Sequence, residues 1–266
     1  MTRVLAFPAP PAPVLLEDSQ PLSMMQLAPR GLSEQWLLRH AGDRHWAMIA
    51  AAMGQGRAVF ADADGRPVYA AFCATELAFA PPEPLLGADL SVRSSLHAVS
   101  ARLIGSEHLL SGPDGPIGML RMVSTFVSHD GTGSNKRITR NLPSGELRLP
   151  DAPAALAELA GRARSRARTL RDRSSRGPVL LRARPCPQTD FNAAGLLYFP
   201  TFSRLAETAD WAETGSDAPL AWREVTYLGN LDQGEEVEVC RAEGGLDILR
   251  GDGRIIAHLR TARHPS

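Results

Sequence analysis

The chain has 266 residues, 44% hydrophobic and 22% charged, the proportions of a globular protein that can bury a substantial core. Its formal net charge at pH 7 is zero, which removes the global electrostatic case for a nucleic-acid binder; any charged partner must meet a local patch. The three cysteines, Cys73, Cys186 and Cys240, form neither a C-x-x-C pair nor a group at metal spacing with histidine, so reduced thiols and no metal are expected.

In chain order, the stretch from Met1 to Asp18 carries Pro8, Pro10, Pro11 and Pro13 where a secretory signal would need a charged start and a continuous apolar core. No segment reaches the length of a membrane-spanning helix, and a cytoplasmic location is expected. Leu32, Trp36, Leu37, Ile49 and Met53 fall near helical spacing, with Gly54 as a stop, and predict a helix over 32–52. Short strands follow at 58–60 and 67–75 around an Asp64-Gly65 turn, then alternating strands at 88–100 and 117–126 joined through the turn Gly112-Pro-Asp-Gly115. From Ala152 a helix former passes into an arginine run, Arg162, Arg164, Arg166, Arg168, Arg171, Arg173 and Arg176. Such a run reads as a solvated helix face or as a landing place for phosphates or an acidic carrier protein.

The pattern then repeats. Gly195-Leu196 opens a second segment that aligns with Gly31-Leu32, placing Asp43 opposite Glu207 and Trp46 one place from Trp211. A polar lead and alternation over 227–240 echo 88–100, and the turn at 250–253 followed by 254–261 echoes the first hairpin. One long helix wrapped by an antiparallel sheet, present twice, describes an α+β tandem hot-dog fold. The expected division is a first unit over 1–150, an arginine-rich helical linker over 151–178 and a second unit over 179–266.

Three stretches carry a resemblance: Gly31-Leu-Ser-Glu-Gln-Trp-Leu-Leu38, Gly42-Asp-Arg-His-Trp46 and Val68-Tyr-Ala-Ala-Phe-Cys-Ala-Thr75. They resemble the double hot-dog acyltransferase/decarboxylases of polyketide gene clusters, of the leinamycin-pathway type. Asp190-Phe-Asn-Ala-Ala-Gly-Leu-Leu-Tyr-Phe199 is similar to the start of that family's second unit. The resemblance spans nearly the whole chain. It implies decarboxylation of a methylmalonyl-CoA-like substrate and delivery of the acyl group to an acyl carrier protein. CoA enters as part of the substrate, and no cofactor is required. Hot-dog sheets often continue across a partner, so a homodimer is expected by analogy; neither a membrane nor nucleic acid is expected as a partner.

Tyr69 matches the tyrosine that the family places at the reacting acyl group. Its hydroxyl, with an ordinary pKa of ~10, suits hydrogen-bond donation better than nucleophilic attack; packing at a strand rim is the bland alternative. His45 can protonate an enolate carbon near neutral pH, or can be a structural histidine beside Trp46. Asp43 can face the cleft, or pair with Arg39 four residues earlier.

Gly31, Leu32 and Gly195 are expected where a helix start turns backbone N–H groups toward a thioester carbonyl. Thr75 closes the third matched stretch. Ser124, Thr125, Asn135, Lys136 and Arg137 lie where polar groups can meet a carboxylate, pantetheine or phosphate. Asp190 and Asn192 either activate water or cap a turn. Two other functions compete with the decarboxylating transferase. A hydrolase or dehydratase of carrier-bound chains would need Asp190 or Glu207 beside the thioester; a non-catalytic protein would only bind an acyl chain or a carrier.

Overall fold

The computed structural model describes residues 12–171, 173 and 177–265. The expectations resting on Pro8, Pro10, Pro11 and Arg176 lie outside them.

The chain enters as β1 (Val14–Pro21) and passes a two-residue ladder, β2 (Leu27–Ala28) on β3 (Gly31–Leu32), before helix α1 (Glu34–Ala52). Ser33 sets the start of α1: its Oγ accepts the Trp36 N–H at 3.3 Å. The predicted start at Leu32 is therefore moved two residues on, because Gly31 and Leu32 pair with Ala28 and Leu27. Gly54, at φ 68°, follows the end of the helix as the sequence predicts. Leu37, Leu38, Ala41, Met48 and Ile49 recur at helical spacing and are all buried.

The rest of the first half is strand: β4 (Phe60–Ala61), β5 (Pro67–Phe79), β6 (Asp89–Ser100), β7 (Leu103–Gly112), β8 (Gly115–His129) and β9 (Ile138–Arg140). Helix α2 (Ala154–Arg171) then leads to β10 (Val179–Ala183), a four-residue helix α3 (Pro187–Asp190) and helix α4 (Phe199–Thr214). The chain closes with β11 (Leu220–Tyr227), β12 (Val237–Ala242), β13 (Gly245–Arg250) and β14 (Ile255–Arg263). The strand expected over 227–240 is mostly loop. Asn230 Oδ1 accepts the Leu197 and Leu231 N–H groups and Asp232 Oδ1 accepts that of Asn135, so the side chains of this segment bind backbone outside any ladder.

The two halves share one sheet. The order β1-β6-β7-β8-β5-β11-β14-β13-β12-β10 is antiparallel, and β5 joins β11 with Thr75 opposite Val225. Strand β11 is the first-half β5's counterpart, which the sequence reading did not recognise. Leu37, Leu38 and Ala41 of α1 pack with Leu77, Leu120 and Met122, whereas Leu156, Leu159 and Ala160 of α2 pack with Ala74 and Val123. Helices α1 and α4 thus share one face of the sheet and α2 lies on the other. Each fully buried leucine contributes about 1.5–3 kcal/mol of apolar transfer to that arrangement.

Under α2 the arginine run divides. Arg162 bridges Glu76 and Glu224 at 2.7 Å each, Arg166 pairs with Glu224, and Arg121 ties Glu76 to Glu107. These side chains hold α2 to the sheet across the junction of the halves. Arg164, Arg168 and Arg171 remain exposed.

Candidate functional site

A cleft of about 1080 Å³ opens between the halves. One wall comes from α1 and the start of β5, the other from 188–202 and the ends of β11 and β13. Aromatic rings line it. Phe72 lies 4.4 Å from Phe199, and Phe199 and Phe202 sit edge-on to Tyr227 at 6.3 and 5.3 Å between centroids. Such rings bury a large apolar area and leave hydroxyls at their tips. The Tyr227 hydroxyl meets Thr75 Oγ1 at 3.1 Å, and burial pushes its pKa up, so the phenol stays protonated.

Helices α1 and α4 meet beside this cleft. At Gly42 a Cβ would lie 3.0 Å from Phe199 Cε1 and 3.7 Å from the Tyr198 hydroxyl, so a residue with only hydrogen lets α1 reach the start of α4. Tyr198 occupies the N-cap position of α4, in extended conformation. Burial and the neighbouring Asp43 carboxylate push its pKa up to about 12, with Arg39 acting the other way. Tyr198 is therefore a hydrogen-bond donor at neutral pH. Asp43 is exposed on the α1 wall of the same cleft. Among the described residues no ion pair joins it to Arg39.

Asn135 braces the opposite wall. Its Nδ2 donates to the Gly195 carbonyl at 2.6 Å and the Leu231 carbonyl at 2.9 Å. Asn192 Oδ1 accepts the Ala194 and Leu196 N–H groups, while the Asp190 carboxylate accepts the Cys186 N–H at 2.8 Å and Arg204 at 2.5 Å. The Asp190 side chain is thus held by the turn ahead of α4 and does not line the cleft, whereas Asn192 does.

Among the described residues the cleft wall carries five cationic side chains, Arg39, Lys136, Arg140, Arg250 and Arg254, against one carboxylate, Asp43. Lys136 is paired with Glu235 and Arg250 with Asp252. Arg39, Arg140 and Arg254 have no carboxylate partner among the described residues. Unneutralised guanidinium groups gathered in one cleft favour an anionic ligand.

Of the residues predicted from sequence, Tyr69, Asp43, Thr125, Asn135, Lys136 and Asn192 come together on this cleft. Tyr69 also stands edge-on to His129 at 6.1 Å. Thr125 Oγ1 donates to the Arg102 carbonyl, and Thr75 reaches the cleft only through Tyr227. His45 does not line the cleft. It is wholly buried behind Phe72, with Nδ1 2.8 Å from Ser106 Oγ and Nε2 2.8 Å from Ser124 Oγ, and burial lowers its pKa to about 3. Ser124 belongs to that buried network, Arg137 is exposed off the cleft lining, and Gly195 braces it through its carbonyl. Neither glycine begins a helix: Gly195 lies four residues ahead of α4 and Gly31 three ahead of α1. Tyr198, Arg140 and Arg254 were not singled out from sequence, and Arg39 was considered there only as a partner for Asp43. The available signal for Tyr198 was its place directly before Phe199-Pro200, since proline favours the first turn of a helix.

Gly31 and Leu32 line a second recess of about 380 Å³, where the start of α1 faces the middle of α4. It is the counterpart of the cleft with the helices exchanged, and the aligned positions Asp43 and Glu207 face the two recesses. Here ion pairs fill the position: Arg223 binds Glu34 and Glu207 at 2.5 Å each, and Arg263 binds Glu207 at 3.0 Å. Although burial pushes the Glu207 pKa up, Arg223 and Arg263 hold it below the ordinary carboxylate value. Glu207 is thus engaged by two guanidinium groups, whereas Asp43 has no ion-pair partner among the described residues.

No family model matches the sequence, and no curated protein does. Solved structures do match. An acyl-ACP thioesterase from Bacteroides thetaiotaomicron superposes with a TM-score of 0.67 at 12% identity, over 94% of this chain and 98% of that one. A 12:0-ACP thioesterase from Umbellularia californica gives 0.65 at 12% identity, over 95% and 98%. The likeness establishes the fold: the chain is a double hot-dog protein, two helix-and-sheet units joined in one polypeptide.

Proposed function

We propose that the chain is an acyl-thioester enzyme and that hydrolysis of a CoA- or carrier-borne acyl group in the cleft between the halves is its reaction. The observation that carries this reading is the placement of Asp43, the one carboxylate on the cleft among the described residues, across from the start of α4 in a recess walled by aromatic rings and cations. The acyl chain packs on Phe72, Phe199 and Phe202. The thioester oxygen faces the N-terminal end of α4, where helix N–H groups and the Tyr198 hydroxyl oppose developing negative charge. Asp43 orients and deprotonates the water that bonds to the acyl carbon; the tetrahedral intermediate then breaks its C–S bond, and the departing thiolate takes the proton back from the Asp43 carboxyl. Arg39, Arg140 and Arg254 oppose the phosphates of the thiol carrier. The double hot-dog fold, shared with solved acyl-ACP thioesterases, supports the same reading.

A second reading, decarboxylating acyl transfer, rests on the same cations, which could hold a substrate carboxylate, and on the two hydroxyl donors Tyr69 and Tyr198 facing an enolate. Incubation with methylmalonyl-CoA, malonyl-CoA and octanoyl-CoA, with and without a holo acyl carrier protein, separates the two when followed by intact mass spectrometry. Free acid and CoA are expected from hydrolysis. A carrier that gains a decarboxylated acyl group establishes transfer instead. A wild-type protein that consumes none of the three thioesters overturns both.

A further inference from the structure

Helix α2 presents two arginine faces with different surroundings. Arg162 and Arg166 turn toward the sheet and are engaged by Glu76 and Glu224. Arg164, Arg168 and Arg171, spaced four and three apart, are exposed on one face and have no carboxylate partner among the described residues. Over seven residues they make a basic stripe about 10 Å long. The negative end of the helix dipole favours Arg168 and Arg171, which lie in the last turn, but it does not reach Arg164, two turns from the end.

The stripe ends near the cleft. Leu170, in the last turn of α2, packs with Leu249 and Ile255 and against Leu228. Leu228, Arg250 and Arg254 border the cleft. The exposed arginines therefore lead along the outer face of the sheet to the strand ends at which the cleft opens. A protein of zero net charge offers a patch of this kind against a near-neutral background, which is the condition for local electrostatic steering.

We propose that Arg164, Arg168 and Arg171 form the docking surface for an acidic helical carrier protein, which extends its thioester-bearing arm around the strand ends into the cleft. This rests on the thioester reading given above and adds to it a substrate class: acyl groups on a protein carrier in preference to free CoA. Charge complementarity argues for the occupant, since a carboxylate-lined helix laid along α2 would meet three guanidinium groups in register.

The test uses the full chain and a fluorescently labelled bacterial holo acyl carrier protein, with anisotropy for binding and octanoyl-CoA and octanoyl-carrier for turnover. The triple variant R164E/R168E/R171E is expected to bind the carrier at least about tenfold more weakly and to lose most of the salt dependence of binding. Its turnover of octanoyl-CoA stays at the wild-type level, which also shows that the variant is folded. R164K/R168K/R171K keeps the charge and retains binding within about threefold. The proposal is overturned if wild-type protein does not bind the carrier, or if the reversed variant binds it as well as wild type does. Failure of the thioester reading gives a different result: wild-type protein consumes neither octanoyl thioester, while anisotropy still decides the docking.

Discussion

Arg44 Nε donates to Ser94 Oγ at 2.8 Å and anchors a buried chain of hydrogen bonds that runs through two imidazoles. Ser94 Oγ lies 2.8 Å from His108 Nδ1, and His108 Nε2 lies 2.9 Å from Ser106 Oγ. The chain continues from Ser106 Oγ to His45 Nδ1 and from His45 Nε2 to Ser124 Oγ, each at 2.8 Å. Both imidazoles are neutral, so each brings one N–H donor and one acceptor nitrogen to the chain. Burial lowers both pKa values, to about 3 for His45 and well below the ordinary value for His108, where His45 and Arg44 add to the effect.

This chain makes stability depend on pH. The unfolded histidines bind protons near their ordinary pKa of ~6.5, while the folded ones refuse them. The stabilisation is complete above that value and is lost as pH falls from it toward the folded pKa of about 3 for His45. Each histidine contributes a slope of about 1.4 kcal/mol per pH unit in that window. Urea unfolding at pH 7.5, 6.5 and 5.5 is expected to show the decline, and His45→Asn to reduce its slope by about one proton. An unchanged slope in that variant means that His45 is charged in the folded protein.

Asp43 and Asp190 should separate chemistry from structure. Asp43→Asn removes the carboxylate of the cleft without disturbing an ion pair and is expected to lower kcat by about 10²–10⁴-fold while leaving the unfolding midpoint in place. Asp190→Asn weakens the Arg204 contact and the cap on the Cys186 N–H, and should lower stability by about 1–2 kcal/mol. Steady-state kinetics and urea unfolding on both variants check this. The reverse pattern would transfer the general base to Asp190.

Much of the fold is legible in the sequence where local chemistry and tertiary position agree. Gly54 ends α1 as expected, although the helix starts two residues later than predicted, after the Ser33 cap, and the turns at 112–115 and 250–253 close hairpins whose entering strands, β7 and β13, were not among the predicted ones. The aligned positions Asp43 and Glu207 face the two related recesses. Strand β11 was hidden because its Arg223 and Glu224 read as surface, whereas both are buried against partners on α1, α2 and α4 that no local window contains. His45 misleads for the same reason: the serines that satisfy it lie on β7 and β8, 61 and 79 residues away. Tyr198, between Leu197 and Phe199, reads as core until the approach of α1 at Gly42 leaves its hydroxyl at the cleft.

The ion pairs of the smaller recess are expected to be structural. Arg223 is wholly buried and Glu34 nearly so, and removing the guanidinium leaves the carboxylate unpaired. Arg223→Met should cost about 3–5 kcal/mol, and the double variant Arg223→Met/Glu34→Gln should recover part of that loss. Urea unfolding of the two variants measures the coupling. A single variant as stable as the wild type would mean that Glu34 is already neutral in the folded protein.

Two tyrosines compete for the donor role. Tyr69 approaches the cleft from β5 beside His129, and Tyr198 approaches it from the start of α4 within the electrostatic reach of Asp43 and Arg39. Only Tyr198 combines a helix N-terminus with the carboxylate wall, and burial together with Asp43 keeps its proton in place at neutral pH. Tyr198→Phe is expected to lower kcat by about 10²–10³-fold with KM changed little, as for loss of one oxyanion donor. Tyr69→Phe should affect KM more than kcat. Stopped-flow thioester cleavage on both variants reads the split; a kcat loss confined to Tyr69→Phe would place the reacting carbonyl against β5 and remove α4 from the chemical step.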